Sequence, residues 1–228
     1  MIGTWNIRGL NTPLKQKEVL NLIHKYNLSV LGILETKVKK DNISSVKENL
    51  RRDWESFINN EMHQMGMIWI HWDPKRVALK VLYSYAQMVH CHVQWHEQKL
   101  EFFTSFVYGF NELEERKSLW KDIKTYASSN EAWCVIGDFN AVLTSEDRKG
   151  GNPVSNGETA DFRDCLEKCG LEEMPFSGPY FTWNNKQKGG DRIYSKLDRM
   201  VANIEWVLKM GTKTVIIHEG ISDHCPLI

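Results

Sequence analysis

Residues 1–35 read as strand, helix, strand, and that order constrains the fold more than any other feature. Residues 1–8 are short and apolar-rich and enter a Gly-Leu-Asn-Thr-Pro turn. Pro13 suits the first turn of a helix, where its missing amide has no intrahelical partner to lose. Leu14, Val19, Leu20, Leu22 and Ile23 supply that helix with apolar positions. The run Leu28–Leu34 is short and apolar, as a strand buried on both faces would be. Two strands joined by a helical crossover lie parallel in one sheet. The chain is therefore expected to build an α/β fold.

Downstream, the segments Trp54–Ile58, Gly66–Trp72, Val77–Ser84, Met88–Trp95 and Leu100–Tyr108 carry Val, Ile, Phe, Tyr and Trp between turn residues, which predicts an antiparallel meander. A helix is expected at about 112–127, a buried strand at Trp133–Ile136, a Gly- and Asn-rich loop at 149–157 and a helix at about 158–168. The β pattern then returns in Tyr180–Trp183, a Lys- and Gly-rich hairpin at 184–192, and Val215–His218. No repeat or linker interrupts it. The expectation is one domain over 1–228, with two β-sheets covered by helices.

Balanced charge, 29 basic against 29 acidic residues, argues against a histone-like cationic binder. It leaves room for a nuclease, because carboxylates around a metal offset basic residues on the rim. The five cysteines form no Cys-x-x-Cys pair, so neither a zinc ribbon nor a redox motif is visible. They read as free thiols in a reducing compartment. No apolar run approaches the ~20 residues of a membrane span, and the first residues lack a signal peptide's pattern. A soluble intracellular protein is expected, with no membrane association and no stable protein partner evident.

Chemistry enters at the ends of the apolar runs, which carry Asn6, Glu35, Tyr108, Asp138 with Asn140, and Asp223 with His224. In open α/β sheets, ligands collect outside strand ends. Each residue alone has a plain explanation. Asn6 can be a turn former before Gly9, Glu35 an exposed loop residue, Tyr108 a half-buried aromatic, and Asp223-His224 a local hydrogen bond. Asp138 and Asn140, two apart after Cys134-Val135-Ile136, would share one face of a strand.

Their order carries more weight than any one of them. Asn6, Glu35, Tyr108-Gly109, Gly137-Asp138-Phe139-Asn140, Thr182-Trp183, Lys196-Leu197-Asp198-Arg199 and Ser222-Asp223-His224 resemble the signature of the endonuclease/exonuclease/phosphatase superfamily. Trp-Asn-Ile-Arg-Gly-Leu-Asn at 5–11, Leu-Glu-Thr-Lys at 34–37, Phe-Thr-Trp-Asn-Asn at 181–185, and Asn203 with Trp206 resemble in particular the endonuclease domain of plant-like LINE retrotransposons. The resemblance implies a four-layer α/β/β/α sandwich with two packed mixed β-sheets. It also implies Mg²⁺-dependent nicking of one DNA strand, with Mn²⁺ as a substitute, leaving a 3′-hydroxyl that primes retrotransposition, in the nucleus.

The same resemblance assigns roles. Glu35 is the principal metal ligand, Asn6 lies beside it, and Asp223 supports the metal or its waters. Asp138 is the general base, and Asn140 holds the attacking water or a phosphate oxygen. His224 donates to a non-bridging oxygen with its tautomer set by Asp198. Tyr108 donates to the phosphate, and Thr182 supports the same substrate site. Arg8 stands where repair-type relatives carry Asp, which counts against an abasic-site repair enzyme. The chain stops just after Ser222-Asp223-His224, so the domain is expected to be cut short at its C-terminal end.

Lys186, Lys188 and Arg192 in the 184–192 hairpin are candidate DNA-phosphate contacts, against the alternative of a solubilising surface loop. His90, His92 and His96 would share one strand face, but no carboxylate or thiol with ligand spacing joins them, so they read as a polar face. Cys165 and Cys169, four apart on a helix, read as core. Two rival functions remain open: a phosphodiesterase or phosphatase of inositol phosphates or lipids, and a non-catalytic nucleic-acid-binding relic.

Overall fold

A computed structural model describes residues 1–59, 67–127 and 130–228. Along the chain it forms β1 (Ile2–Asn6), α1 (Pro13–Lys25), β2 (Val30–Leu34), α2 (Ile43–Asn49), β3 (Glu55–Ile58), β4 (Ile68–Trp72), β5 (Val77–Ser84), β6 (Met88–Trp95), β7 (Leu100–Tyr108), α3 (Leu113–Tyr126) and β8 (Trp133–Asp138). There follow β9 (Arg148–Lys149), α4 (Asn156–Cys169), β10 (Glu172–Glu173), β11 (Phe176–Ser177), β12 (Trp183–Asn184), β13 (Tyr194–Ser195), β14 (Asp198–Ala202), α5 (Ile204–Met210) and β15 (Thr214–Val215).

The expected β-α-β opening is present: β1 and β2 pair in parallel, with Asn6 opposite Leu34. Thr12 caps α1 by accepting the Lys15 amide at 3.4 Å, and Pro13 occupies the first turn. Val19, Leu22 and Ile23 face the core, whereas Leu14 is 60% exposed and lies off the apolar stripe. One large sheet runs β1-β2-β4-β3 and the other β10-β14-β8-β7-β6-β5. Both mix parallel and antiparallel pairs.

The expected meander from 54 to 108 divides in two. β3 and β4 complete the first sheet, while β5, β6 and β7 form an antiparallel meander in the second. The switch occurs at Asp73, whose amide bonds back to Ser29 and whose carbonyl accepts from Arg76 and Val77. Strand periodicity reports which residues are buried, not which sheet receives them. Gly66, placed at the start of one expected strand, lies outside the described residues. β8 runs two residues beyond the expected Trp133–Ile136, so Asp138 ends the strand rather than following it. Near the terminus β15 covers only Thr214–Val215, and Ile216 bridges Leu227, which itself bridges Thr4 of β1.

Three apolar clusters define the layers. Val30, Leu34, Ile68 and Ile70 of the first sheet meet Val89, Phe102, Phe106 and Ile136 of the second. Alternate residues of the same strands, Leu31, Ile33 and Trp69, turn outward to Val19, Leu22 and Ile23 of α1 and Val46 of α2. On the far side Val107, Trp133 and Val135 pack on Leu119, Trp120 and Ile123 of α3 and Phe162 of α4. The result is the α/β/β/α sandwich. All five cysteines are free; Cys165 is buried in the third cluster and Cys169 packs at its edge. Among the described residues, no helix is long and apolar enough to cross a membrane.

Gly32 sets how closely the sheets approach, since a Cβ there would stand 2.3 Å from the Phe106 ring. Gly32→Ala is therefore expected to destabilise by about 1–3 kcal/mol through overpacking. Pairing it with Phe106→Leu should recover part of that loss in urea unfolding.

Candidate active site

Strand parity aims the polar strand ends into one place. In β8, Cys134 and Ile136 point into the inter-sheet core, so Asp138, two residues on, points the same way. In β7, Phe102 and Phe106 do the same and carry Tyr108 with them. In β14, Met200 and Ala202 carry Asp198. The register then sets Tyr108, Asp138 and Asp198 side by side, Asp138 being opposite Tyr108 in β7 and opposite Asp198 in β14. Asn6 ends β1 in the other sheet, and its amide donates to Asp138 Oδ2 at 2.8 Å. Gly137 permits the close β7–β8 approach: it has φ of 147°, and a Cβ there would lie 2.1 Å from the Val107 carbonyl oxygen.

His224 reaches this row from the terminal segment. Its Nδ1 lies 2.9 Å from Asp198 Oδ2 and 3.8 Å from Asp138 Oδ2. The ring is held by its backbone: Trp5 Nε1 donates to the His224 carbonyl at 3.0 Å, and the Ser222 hydroxyl accepts the His224 amide at 3.2 Å while donating to the Asn6 carbonyl at 2.7 Å. Among the described residues its Nε2 has no hydrogen bond. Burial alone would lower the His224 pKa, but Asp198 and Asp138 outweigh it and raise it from 6.5 to about 9. Burial, then the Asp198 charge, pushes Asp138 well above the usual carboxylate range, against the pull of His224 and Asn6. The His224 ring thus lies between two buried aspartate side chains.

A second group flanks the first. Glu35, just past β2, adopts φ of 51° and is nearly buried. Its Oε1 meets Lys37 Nζ at 2.5 Å and its Oε2 lies 3.7 Å from Arg8 Nε. Arg8 also pairs through Nη1 with Asp223 Oδ2, which accepts from Trp183 Nε1 at 3.1 Å. Tyr108 joins the two groups. Burial first, then the charges of Glu35 and Asp138, raise its pKa strongly, so its hydroxyl stays protonated.

The expected residues fall into place unequally. Asn140, at φ of 47°, donates its amide N–H to Asp138 Oδ1 at 2.9 Å and its side chain to the Gly109 carbonyl at 2.7 Å. Asn6 is tied to Asp138 rather than to Glu35, with its Oδ1 accepting the Arg8 amide at 3.0 Å. Thr182 is fully buried, and its hydroxyl accepts the amides of Leu197 and Asp198 at 3.0 and 2.9 Å. It positions Asp198 from behind and has no surface for substrate.

The hairpin is present, with Trp183 opposite Ser195, and its cations differ. Lys186 lies 3.9 Å from Glu219, Arg192 bonds the Gln187 carbonyl within the loop, and Lys188 has no partner among the described residues. His90 is buried with Nδ1 at 2.8 Å from Ser105, His92 pairs with Glu101, and His96 lies beyond the end of β6, so the three do not share a strand face.

The sequence matches the Endonuclease/Exonuclease/phosphatase family over residues 3–224. The chain belongs to that family. By that membership it is a hydrolytic enzyme. No curated protein matches its sequence. Among solved structures it is similar to the endonuclease domain of TRAS1, a telomere-specific non-LTR retrotransposon, with 14% identity and a TM-score of 0.74 over 99% of this chain and 95% of that one. The AP endonuclease LMAP from Leishmania major gives 14% and 0.74 over 99% and 85%. D. rerio TDP2, complexed with a single-strand DNA product, gives 15% and 0.61 over 99% and 96%. At these identities the likeness is one of fold.

Among the described residues, two places in this family member could offer ligands to a metal. Atoms of Asp138, Asp198 and His224 lie within 4.8 Å of one another. His224 Nδ1 is engaged by Asp198 at 2.9 Å rather than turned to a shared cation. Glu35 fits a hard cation better, because it offers carboxylate oxygens whose partners, Lys37 and Arg8, are long cationic side chains 38% and 48% exposed. Sequence reasoning assigned no role to Trp5, Trp183, Ser222, Lys37 or Arg116. Arg116 is buried and binds the carbonyls of Phe110 and Asn111 at 2.9 and 3.1 Å, and that of Asn140. Trp5, Lys37, Trp183 and Ser222 lie inside the motifs that carry the family resemblance, whereas Arg116 lies in none of them.

The folded protein holds the His224 proton more tightly than the unfolded chain does. That contribution to stability is full below pH 6.5 and disappears as pH rises through about 9. Asp198→Asn removes the largest favourable charge, so an NMR titration should move the His224 pKa down by about one pH unit or more. An unmoved titration would show that Asp198 does not set it.

Proposed function

We propose that this protein is a Mg²⁺-dependent endonuclease that nicks one strand of DNA by phosphodiester hydrolysis, leaving a 3′-hydroxyl to prime retrotransposition, and that it works on intracellular, nuclear DNA. Mn²⁺ is expected to substitute. The observation that carries the reading is the convergence of Asn6, Tyr108, Asp138, Asp198 and His224 at one end of the inter-sheet seam, flanked by Glu35 and Asp223. The similarity in fold to a retrotransposon endonuclease domain supports the choice of DNA.

Glu35 and Asp223 would hold the cation, while Asn6, buried behind them, bonds Asp138 and the Arg8 amide. Once bound, the cation supplies a hard positive charge to the scissile phosphate and its departing oxygen. The side chains do the rest. Asp138, whose burial makes it more basic than an ordinary carboxylate, takes the proton of the attacking water, which Asn140 holds in place. His224 donates from Nε2 to a non-bridging oxygen as charge builds, while Asp198 keeps Nδ1 protonated and the ring oriented. The Tyr108 hydroxyl donates to the same phosphate. Near the hairpin, Lys149, Arg192 and Tyr194 line a groove with Gly150 and Gly189, in which two cations and an aromatic ring suit a nucleic-acid backbone.

Supercoiled plasmid incubated with the protein and Mg²⁺ should relax to the nicked circle, and EDTA should stop the reaction. Soluble inositol phosphates should stay intact. Glu35→Ala and His224→Ala are each expected to lose on the order of 100-fold or more in nicking. Near-normal nicking by either purified variant overturns the assignment. Shortening the loop between Asn185 and Arg192 should redistribute nick positions on a defined plasmid more than it lowers the rate.

A further inference from the structure

Arg8 sits where its charge is hardest to ignore. Its backbone is locked in the left-handed region at φ of 48°, a costly conformation for a residue with a side chain. Three bonds fix that segment: the Arg8 amide donates to Asn6 Oδ1 at 3.0 Å, Lys15 Nζ donates to the Arg8 carbonyl at 2.6 Å, and the Gly9 amide donates to the Glu35 carbonyl at 2.7 Å. The guanidinium, by contrast, is half exposed and spans Asp223 and Glu35, two carboxylates whose own side chains are about nine-tenths buried. A fixed base carrying a mobile cation across two fixed anions is the arrangement of a displaceable counterion. Arg8 Nη2 has no partner among the described residues.

We propose that Arg8 is a built-in competitor of the metal. In the metal-free protein it neutralises Glu35 and Asp223; a divalent cation at Glu35 repels it, and the freed guanidinium turns to a DNA phosphate, for which its planar fork is well matched. The inference rests on the metal-dependent nuclease reading given above and adds a coupling to it. Binding of metal and DNA becomes mutually favourable, since each relieves the guanidinium of a conflict the other creates. It also makes Arg8 a specificity residue: metal alone binds weakly, and the site assembles fully only on a phosphodiester.

The test measures binding, without relying on turnover. Mn²⁺ affinity in the absence of DNA is followed by electron paramagnetic resonance, and affinity for a short fluorescein-labelled duplex in Mn²⁺ by anisotropy. Removing the competing charge in Arg8→Gln should tighten Mn²⁺ binding by about tenfold, because two unit charges a few ångströms apart near a surface interact strongly enough for that. The same variant should bind the duplex several-fold more weakly. Opposite signs in the two assays are the signature, since a residue that merely shapes the site would weaken both.

Arg8→Lys keeps the charge and should leave Mn²⁺ affinity within about twofold of the parent while still weakening duplex binding. Unchanged or weaker Mn²⁺ binding by Arg8→Gln, in a protein whose parent binds Mn²⁺ and nicks DNA, overturns the inference alone. Should Arg8→Gln fail to fold, tighter Mn²⁺ binding by Arg8→Lys would overturn it instead. A parent protein that binds no Mn²⁺ overturns this inference together with the nuclease reading.

Discussion

Where the proposed chemistry lies, the Asn6 side-chain amide, at the end of one sheet, donates to the Asp138 carboxylate, at the end of the other. Both groups are fully buried. A carboxylate taken out of water is costly unless it is paired and hydrogen-bonded, so Asp138 is tolerable only because Asn6, the Asn140 amide and His224 surround it. The requirement runs both ways. The sheets must meet so that Asn6 reaches Asp138, while the register of β7, β8 and β14 within the second sheet sets Tyr108 and Asp198 beside the same carboxylate.

The electrostatics divide along the same line. Inside the seam little solvent screens the charges: Asp198 and Asp138 raise the pKa of His224, and burial raises that of Asp138. At the rim, Arg8, Lys15 and Lys37 crowd around Glu35 and Asp223 on longer, partly exposed side chains. Fixed charges suit the proton transfers proposed for the seam, and longer, more exposed ones suit the cation and polyanion proposed for the rim. Behind Asp198, buried Arg199 pairs with Asp147 at 2.5 Å and Glu173 at 2.7 Å, anchoring β14 away from the site. Thr182 and Ser222 add rigidity by bonding the backbone that carries Asp198 and His224.

Much of this was legible in the sequence, and the reason is geometric. A strand that ends inside a seam needs an apolar run followed abruptly by a polar residue, as at Trp5-Asn6, Leu34-Glu35, Val107-Tyr108 and Gly137-Asp138. That pattern survives in one dimension. The β-α-β opening was equally readable, because Pro13 and the apolar spacing of α1 are local signals.

What the pattern hid depends on distant partners. The chain's passage from the first sheet to the second at Asp73 changes no periodicity. Thr182 stands among aromatic residues in a loop-like stretch, and only the pairing of its hydroxyl with the Leu197 and Asp198 amides removes it from the substrate side. Nor could spacing show that Asn6 serves Asp138 and that Arg8, not Asn6, touches Glu35.

We propose that Glu35 and its neighbours hold a divalent cation while Asp138, Asp198 and His224 handle protons. A crystal soaked in Mn²⁺ at neutral pH, read by anomalous scattering, tests it directly. The peak is expected against the Glu35 carboxylate, with Arg8 withdrawn from it. A peak lodged between Asp138, Asp198 and His224, with Glu35 still paired to Arg8, would contradict it.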